Sequence, residues 1–349
     1  MPTCTLYPLP YQPDPAAYFA RLRQAPGAIL LDSARPGAER GRFDLLSAWP
    51  LQQLQAHPDE EGRTFLKRLR AGLVQLGDAQ LPEGCELPFA GGLIGYLSYD
   101  FGRRLEHLPS LAVDDLGLPD AQLGLYAWAL VSDHLCGTSQ LVFHPSLASD
   151  ERERLISLFQ GDSSTETGEF RLLAPMVGDL QPEQYKAAFD QVQRYIQAGD
   201  CYQINLTQRF RAPCQGDPWH AYQALRQACP TPFSGYQQMA DGSALLSFSP
   251  ERFIRVSQGQ VETRPIKGTR PRASDPTEDK RNADELLHSP KDRSENLMIV
   301  DLLRNDLGRT CKIGSVKVPG CSAWRATPTC TTWSAASPAS WPATRMPWT

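Results

Sequence analysis

The chain has 349 residues, enough for two domains or one large one with insertions. Apolar residues make up 41% and charged residues 21%, ordinary values for a soluble globular protein with a sizeable core. Lys+Arg number 35 against 39 Asp+Glu, a net charge of −4 that argues against nucleic acid as the main partner, since phosphate binding needs a basic excess.

No apolar run approaches the roughly 20 residues that a membrane span needs, so no membrane partner is expected. The start, Met1-Pro2-Thr3-Cys4-Thr5, lacks the basic opening and apolar stretch of a signal peptide, and the expected compartment is the cytoplasm. Asp14-Pro15 predicts a helix start, with Tyr18, Phe19 and Leu22 on its apolar face and Pro26-Gly27 as its stop. Residues 28–31 and 42–46 read as strands, and Phe65, Leu69, Leu73 and Leu76 predict a helix over 64–76. Residues 122–143 read as two strands with a turn near Cys136-Gly137. The polar stretch 161–169 lacks apolar periodicity and is the best linker candidate.

Beyond it, Tyr185, Ala188, Phe189, Val192, Tyr195 and Ile196 share one helical face, and Gly199 is a natural stop. Residues 201–210 alternate as a strand. A strand pair is expected at 244–248 and 253–256, with a turn at Gln258-Gly259. Ser294 is the expected cap of a helix carrying Leu297, Ile299, Val300, Leu303 and Leu307. The nine cysteines form no Cys-x-x-Cys pair and are expected to be mostly buried small apolar residues.

The densest cluster of reactive side chains runs over 249–309. Ser249-Pro250-Glu251-Arg252-Phe253 puts a carboxylate at a strand start, and Arg264-Pro265-Ile266-Lys267-Gly268-Thr269-Arg270 puts an amine between arginines. Ser294-Glu295-Asn296 and Arg304-Asn305-Asp306 share one helix. Taken singly, each has an ordinary reading as an ion pair, a solvated turn or a cap. Gly91-Gly92-Leu93-Ile94-Gly95 lacks the spacing of a nucleotide loop and reads as close packing.

The order of these words resembles the chorismate-utilising enzymes, which include anthranilate, aminodeoxychorismate, isochorismate and salicylate synthases. The resemblance takes in Gly199-Asp200-Cys201-Tyr202-Gln203-Ile204-Asn205, Pro230-Thr231-Pro232-Phe233, Leu30-Leu31-Asp32-Ser33 and Pro88-Phe89-Ala90-Gly91-Gly92, and spans 1–319. It implies an α+β fold of layered antiparallel sheets flanked by helices, its C-terminal part incomplete. The implied regions are an N-terminal region 1–160, a linker 161–175 and a partial chorismate-binding catalytic domain 176–319.

Anthranilate synthases carry alanine where this chain has Lys267; aminodeoxychorismate synthases carry lysine. The resemblance therefore implies amination of chorismate at C4, with ammonia from a glutamine amidotransferase partner, for folate and 4-aminobenzoate synthesis. Lys267 would be a transient nucleophile at C2, its amine kept neutral by Arg264, Arg270 and magnesium nearby. Glu251 would be the general acid, in an apolar or crowded acidic setting. Glu295 would hold Mg²⁺, Gly268 and Thr269 would bind the substrate carboxylate, and Asn305 and Asp306 would be structural. Ser33, Pro232 and Phe233 would line a tryptophan pocket. The alternatives are an anthranilate synthase component and a non-catalytic remnant that binds tryptophan or the partner.

The last 30 residues, 320–349, hold four of the seven tryptophans, and 20 of the 30 are Ala, Ser, Thr or Pro. An out-of-frame reading accounts for this composition: freely chosen codons, read one base earlier, restore Leu-Phe-Ser-Leu-Glu-Ser-Tyr-Pro-Asn-Val-His-His-Leu-Val from position 321. The tail is expected to supply no strands, to leave sheet edges uncovered, and to leave the chain inactive and poorly stable.

Overall fold

β1 (Thr5–Leu9) leads into a short helix, α1 (Ala16–Phe19), whose Ala16 amide donates to the Asp14 carboxylate at 2.9 Å. β2 (Ile29–Asp32) and β3 (Phe43–Ser47) follow, antiparallel, with Leu30 opposite Leu46. After β4 (Gln52–Gln55), α2 (Gly62–Leu76) buries Phe65, Leu69 and Leu76 at the expected spacing. β5 (Gly92–Leu97), β6 (Ala121–Tyr126), β7 (Trp128–Asp133), β8 (Thr138–Phe143) and α3 (Ser149–Gln160) come next. The computed structural model describes residues 1–34, 41–161 and 168–318, and the backbone of 320–326 and 330–340. Residues 162–167, the middle of the expected linker, lie outside the described residues, as do 327–329 and 341–349 of the tail.

Residues 122–143 hold three strands, not the expected two. The chain changes sheet at Ala127: β6 lies between β4 and β5, whereas β7 lies between β3 and β8. Ala127 and its neighbours are all buried, so the apolar run carries no mark of the crossing. Close packing explains Gly91 and Gly95 of the glycine run. A Cβ on Gly95 would stand 2.1 Å from the Gln122 carbonyl oxygen of β6.

The chain divides into two units, one of 166–224 and a larger one of 1–165 and 225–349. The smaller unit holds β9 (Phe170–Leu172), β10 (Val177–Gly178), α4 (Pro182–Ala198), β11 (Phe210–Arg211) and β12 (Cys214–Gly216), and α5 (Pro218–Ala228) begins in it. β9 falls inside the expected linker and pairs with β12. α4 stops at Gly199, in the left-handed region as expected, but its apolar face is not buried: Phe189, Tyr195 and Ile196 are exposed. The strand expected over 201–210 shrinks to Phe210–Arg211. Alternation alone does not make a strand, and only this end meets a partner, β10.

β13 (Phe233–Gln238) and β14 (Ala244–Ser249) return to the larger unit. They complete an antiparallel seven-stranded sheet in the order β1-β8-β7-β3-β2-β13-β14. Ile29, Leu45, Ala129, Val131 and Val142 of this sheet pack with Ile94 of β5 and Tyr126 of β6, which layers the three-stranded sheet on the larger one. β15 (Arg255–Ser257) pairs with β16 (Gln260–Thr263) through the turn at Gln258-Gly259, both at positive φ. The strand at 244–249 therefore pairs with β13, not with 253–256.

β17 (Ile266–Pro271), α6 (Pro276–His288) and α7 (Pro290–Thr310) carry most of the reactive cluster. Ser289, not Ser294, caps α7: its hydroxyl accepts the Asp292 amide, and Pro290 takes the first helical position. The Ser294 hydroxyl, one turn inside, donates to the Pro290 carbonyl at 2.9 Å. The tail backbone forms β18 (Gly320–Ala326) and β19 (Cys330–Ser340), and β19 runs between β16 and β17. This corrects the expectation that the tail supplies no strands and leaves those edges uncovered.

The fold is α+β, with layered antiparallel sheets flanked by helices. Among the described cysteines only Cys4 and Cys311 are buried and none is in a disulfide; Cys136, Cys214 and Cys229 are exposed, contrary to expectation. No helix among the described residues is long and apolar enough to cross a membrane.

Candidate active site

β17 is irregular where the reactive amine lies. Its pairing with β19 slips between Lys267 and Thr269, so Gly268 is the extra residue of a bulge. Gly268 has φ 71°, a left-handed conformation that glycine adopts without steric cost. Lys267 is half-buried and Thr269 is exposed.

Glu251 lies in the loop after β14, held by a short turn in which the Ser249 hydroxyl accepts the Glu251 amide at 3.2 Å. Its carboxylate accepts the Ile266 amide at 3.1 Å. The candidate acid thus bonds to the backbone one residue before Lys267. Glu251 is exposed, which corrects the apolar or crowded acidic setting expected for it.

The arginines beside Lys267 are also not as expected. Arg264 pairs with Glu262 at 2.6 Å, and Arg270 pairs with Glu285 at 2.9 Å and Asp292 at 3.1 Å. Each guanidinium is matched by a carboxylate, so neither acts as a bare positive charge on the amine. Arg252 shares Glu262 and stacks 5.6 Å from the Phe233 ring centroid. Burial pushes the Glu262 carboxyl up, but Arg264 and Arg252 outweigh it and hold the carboxyl below the usual range.

Glu295 stands on α7, half-buried, with Lys291 at 3.8 Å. Among the described residues no cluster of three His, Cys, Asp or Glu side chains can hold a metal ion. One carboxylate facing a lysine does not make a magnesium site, which favours several oxygen ligands. Asn305 and Asp306 are exposed on the last turns of α7.

A second group of residues meets where β2 and β13 pair. Asp32 lies opposite Ser234, so Ser33 follows on toward Phe233, the first residue of β13. Ser33 is buried, and its amide and hydroxyl both donate to one Asp44 oxygen at 2.7 Å. The other Asp44 oxygen meets His134 Nε2 at 2.7 Å, and His134 Nδ1 meets the Tyr11 hydroxyl at 2.8 Å. Pro232 is half-buried and Phe233 partly exposed. A cleft lined by Leu31, Tyr96, Phe233 and Gly235 opens beside them. The structure places Ser33 just past the end of β2 and Phe233 at the start of the paired β13, and separately joins Glu251 to the strand of Lys267, Gly268 and Thr269.

Sequence reading missed the supporting polar groups. Arg226 binds Asp32 from 194 residues away, a separation that leaves no local signal. Asp292 had one: Ser289 three residues before it is the spacing of a helix cap.

The sequence profile of chorismate binding enzymes matches residues 26–329. Aminodeoxychorismate synthase component 1 of Klebsiella aerogenes is 41% identical over 322 residues, which cover 89% of this chain and 70% of the relative. Anthranilate synthase component 1 of Thermus thermophilus is 34% identical over 328 residues, covering 86% and 67%. The crystal structure of anthranilate synthase component I from Streptococcus pneumoniae superposes with a TM-score of 0.72 at 24% identity, covering 88% of this chain and 71% of that one, a likeness of fold. On this match over most of its length, the chain belongs to the chorismate binding enzyme family.

Proposed function

We propose that the chain is the chorismate-aminating component of an aminodeoxychorismate synthase, working in the cytoplasm with a glutamine amidotransferase subunit that supplies ammonia. The product would be 4-amino-4-deoxychorismate, for folate and 4-aminobenzoate synthesis. The observation that carries the reading is Lys267 in the Pro-Ile-Lys-Gly-Thr word, where anthranilate synthases have alanine. The 41% identity to the Klebsiella aerogenes protein, against 34% to the Thermus thermophilus anthranilate synthase, supports it.

In this reading the Lys267 amine attacks ring C2, and both ring double bonds shift as the C4 hydroxyl leaves. Glu251 gives that hydroxyl a proton, so it departs as water. Ammonia then adds at C4 and the lysine nitrogen departs from C2, free for another turn. Gly268 and Thr269 would hold the substrate carboxylate. Magnesium, which the family resemblance implies, would meet one described carboxylate, that of Glu295, and no step is routed through it. Tryptophan would sit against Ser33, Pro232 and Phe233.

Product analysis tests the reading on two forms: the chain as it stands, and a shifted-frame form, read in the other frame from Pro319 onward to that frame's own stop. Each is supplied with chorismate, an ammonium salt and magnesium. The reading expects 4-amino-4-deoxychorismate from the shifted form and none from the chain as it stands. Anthranilate from either would overturn the role of Lys267. Chorismate left intact by both would favour a non-catalytic protein.

A further inference from the structure

We propose that Asp292 and Arg270 are a positioning pair that sets the direction of the Lys267 side chain, an inference that rests on the reading of Lys267 above. Lys267 and Thr269 are each in register with β19, but Gly268 between them is not. A bulge re-aims the side chains beside it, and the unpaired residue takes its support from whatever it packs against. A Cβ on Gly268 would lie 2.8 Å from Leu286 Cδ1 and 3.0 Å from Asp292 Cγ. The bulge is thus pressed against the end of α6 and the start of α7.

Arg270, two residues on, clamps it there. Its Nε donates to Glu285 of α6 at 2.9 Å, its Nη2 to Asp292 of α7 at 3.1 Å, and its Nη1 to the Thr269 carbonyl at 3.0 Å. The planar fork reaches three points from three separate nitrogens in fixed directions, where a lysine has a single nitrogen. A guanidinium keeps its charge in any case, and both carboxylates push its pKa further up. The two arms are unequal. Glu285 is mostly exposed and contributes little, whereas Asp292 is buried and its amide is tied to Ser289. The Asp292 carboxylate is the stiff point against which the bulge is set.

The test is lysine acylation of the full chain by a small activated ester, with each site's rate read by peptide mass spectrometry. In Asp292→Ala the Lys267 rate should change by about tenfold, the scale of one lost hydrogen bond to a charged group. Lys186, Lys280 and Lys312 should keep their rates. Asp292→Asn keeps an acceptor oxygen of the same shape and should bring Lys267 back near its original rate. Arg270→Lys should reproduce the selective change, and it carries the test if Asp292→Ala does not fold. A change shared by all lysines, an unchanged Lys267 in folded Asp292→Ala, or no recovery in Asp292→Asn would each overturn the proposal. In the shifted-frame form, Asp292→Ala should lower kcat with KM little changed. Full amination by Lys267→Ala would instead overturn the function reading, while the labelling result would stand on its own.

Discussion

Arg226→Met should be the most damaging single change in the larger unit outside the reactive cluster. Asp32 is fully buried in its side chain and Arg226 is 10% exposed. The Nε of Arg226 donates to one Asp32 oxygen at 2.5 Å and Nη2 to the other at 3.2 Å. Asp14, half exposed at 3.4 Å, adds little. Removing one partner of a buried pair strands the other charge, at a cost of about 3–5 kcal/mol. Methionine keeps most of the buried stem, so cavity formation contributes little. Burial already pushes the Asp32 carboxyl pKa up, opposed by the Arg226 hydrogen bond. Without Arg226 the native Asp32 keeps its proton at a pH where the unfolded carboxyl has lost it. The native state then binds more protons than the unfolded one, so stability falls as pH rises through the native pKa. The loss should be largest at neutral pH and partly recovered on acidification. Urea unfolding followed by tryptophan fluorescence measures this. Adding Asp32→Asn, which retains an acceptor for the Ala34 amide, should restore most of the loss. A loss under about 1 kcal/mol for Arg226→Met at neutral pH, or no gain from the second change, would refute the reasoning.

Three further outcomes are expected. Gly95→Ala puts a methyl group 2.1 Å from the Gln122 carbonyl oxygen and should destabilise the chain by about 1–3 kcal/mol, read as a lower urea midpoint at unchanged slope. His144 is buried and its pKa is held below the ordinary 6.5, mainly by burial. The unfolded state then binds more protons, so stability rises with pH up to the unfolded value, and His144→Asn should flatten unfolding midpoints over that range. In the shifted-frame form, Lys267→Ala should abolish C4 amination with little change in chorismate affinity, because a covalent nucleophile acts only in the transition state; product yield and a binding isotherm check the two halves.

Local patterns were legible within single helices. Phe65, Leu69 and Leu76 marked α2, and Gly199 marked the end of α4. What was hidden depends on partners distant in sequence. The apolar run through Ala127 is equally consistent with one sheet or two, and only the positions of β3 and β5 decide. The 201–208 alternation looked like a strand, but backbone pairing begins only at Arg209, whose carbonyl accepts the Asp179 amide. Ser294 and Ser289 are both plausible caps, and Pro290 settles the choice by fitting the first helical turn. At the candidate site, the words around Glu251, Lys267 and Glu295 were readable through family resemblance. Their surroundings were not: the carboxylates that pair with Arg270 come from α6 and α7, 15 and 22 residues further on.

The most direct measurement is a search for a covalent intermediate on Lys267. The shifted-frame form would be mixed with chorismate and magnesium, without ammonia, then quenched and digested for mass spectrometry. Attack at C2 with loss of the C4 hydroxyl as water adds chorismate minus one water to the peptide carrying Lys267. The expected result is that mass on Lys267 alone, absent from Lys267→Ala and discharged when ammonia is added. Conversion of chorismate and ammonia to 4-amino-4-deoxychorismate with no adduct on Lys267, and with Lys267→Ala equally active, would contradict the account.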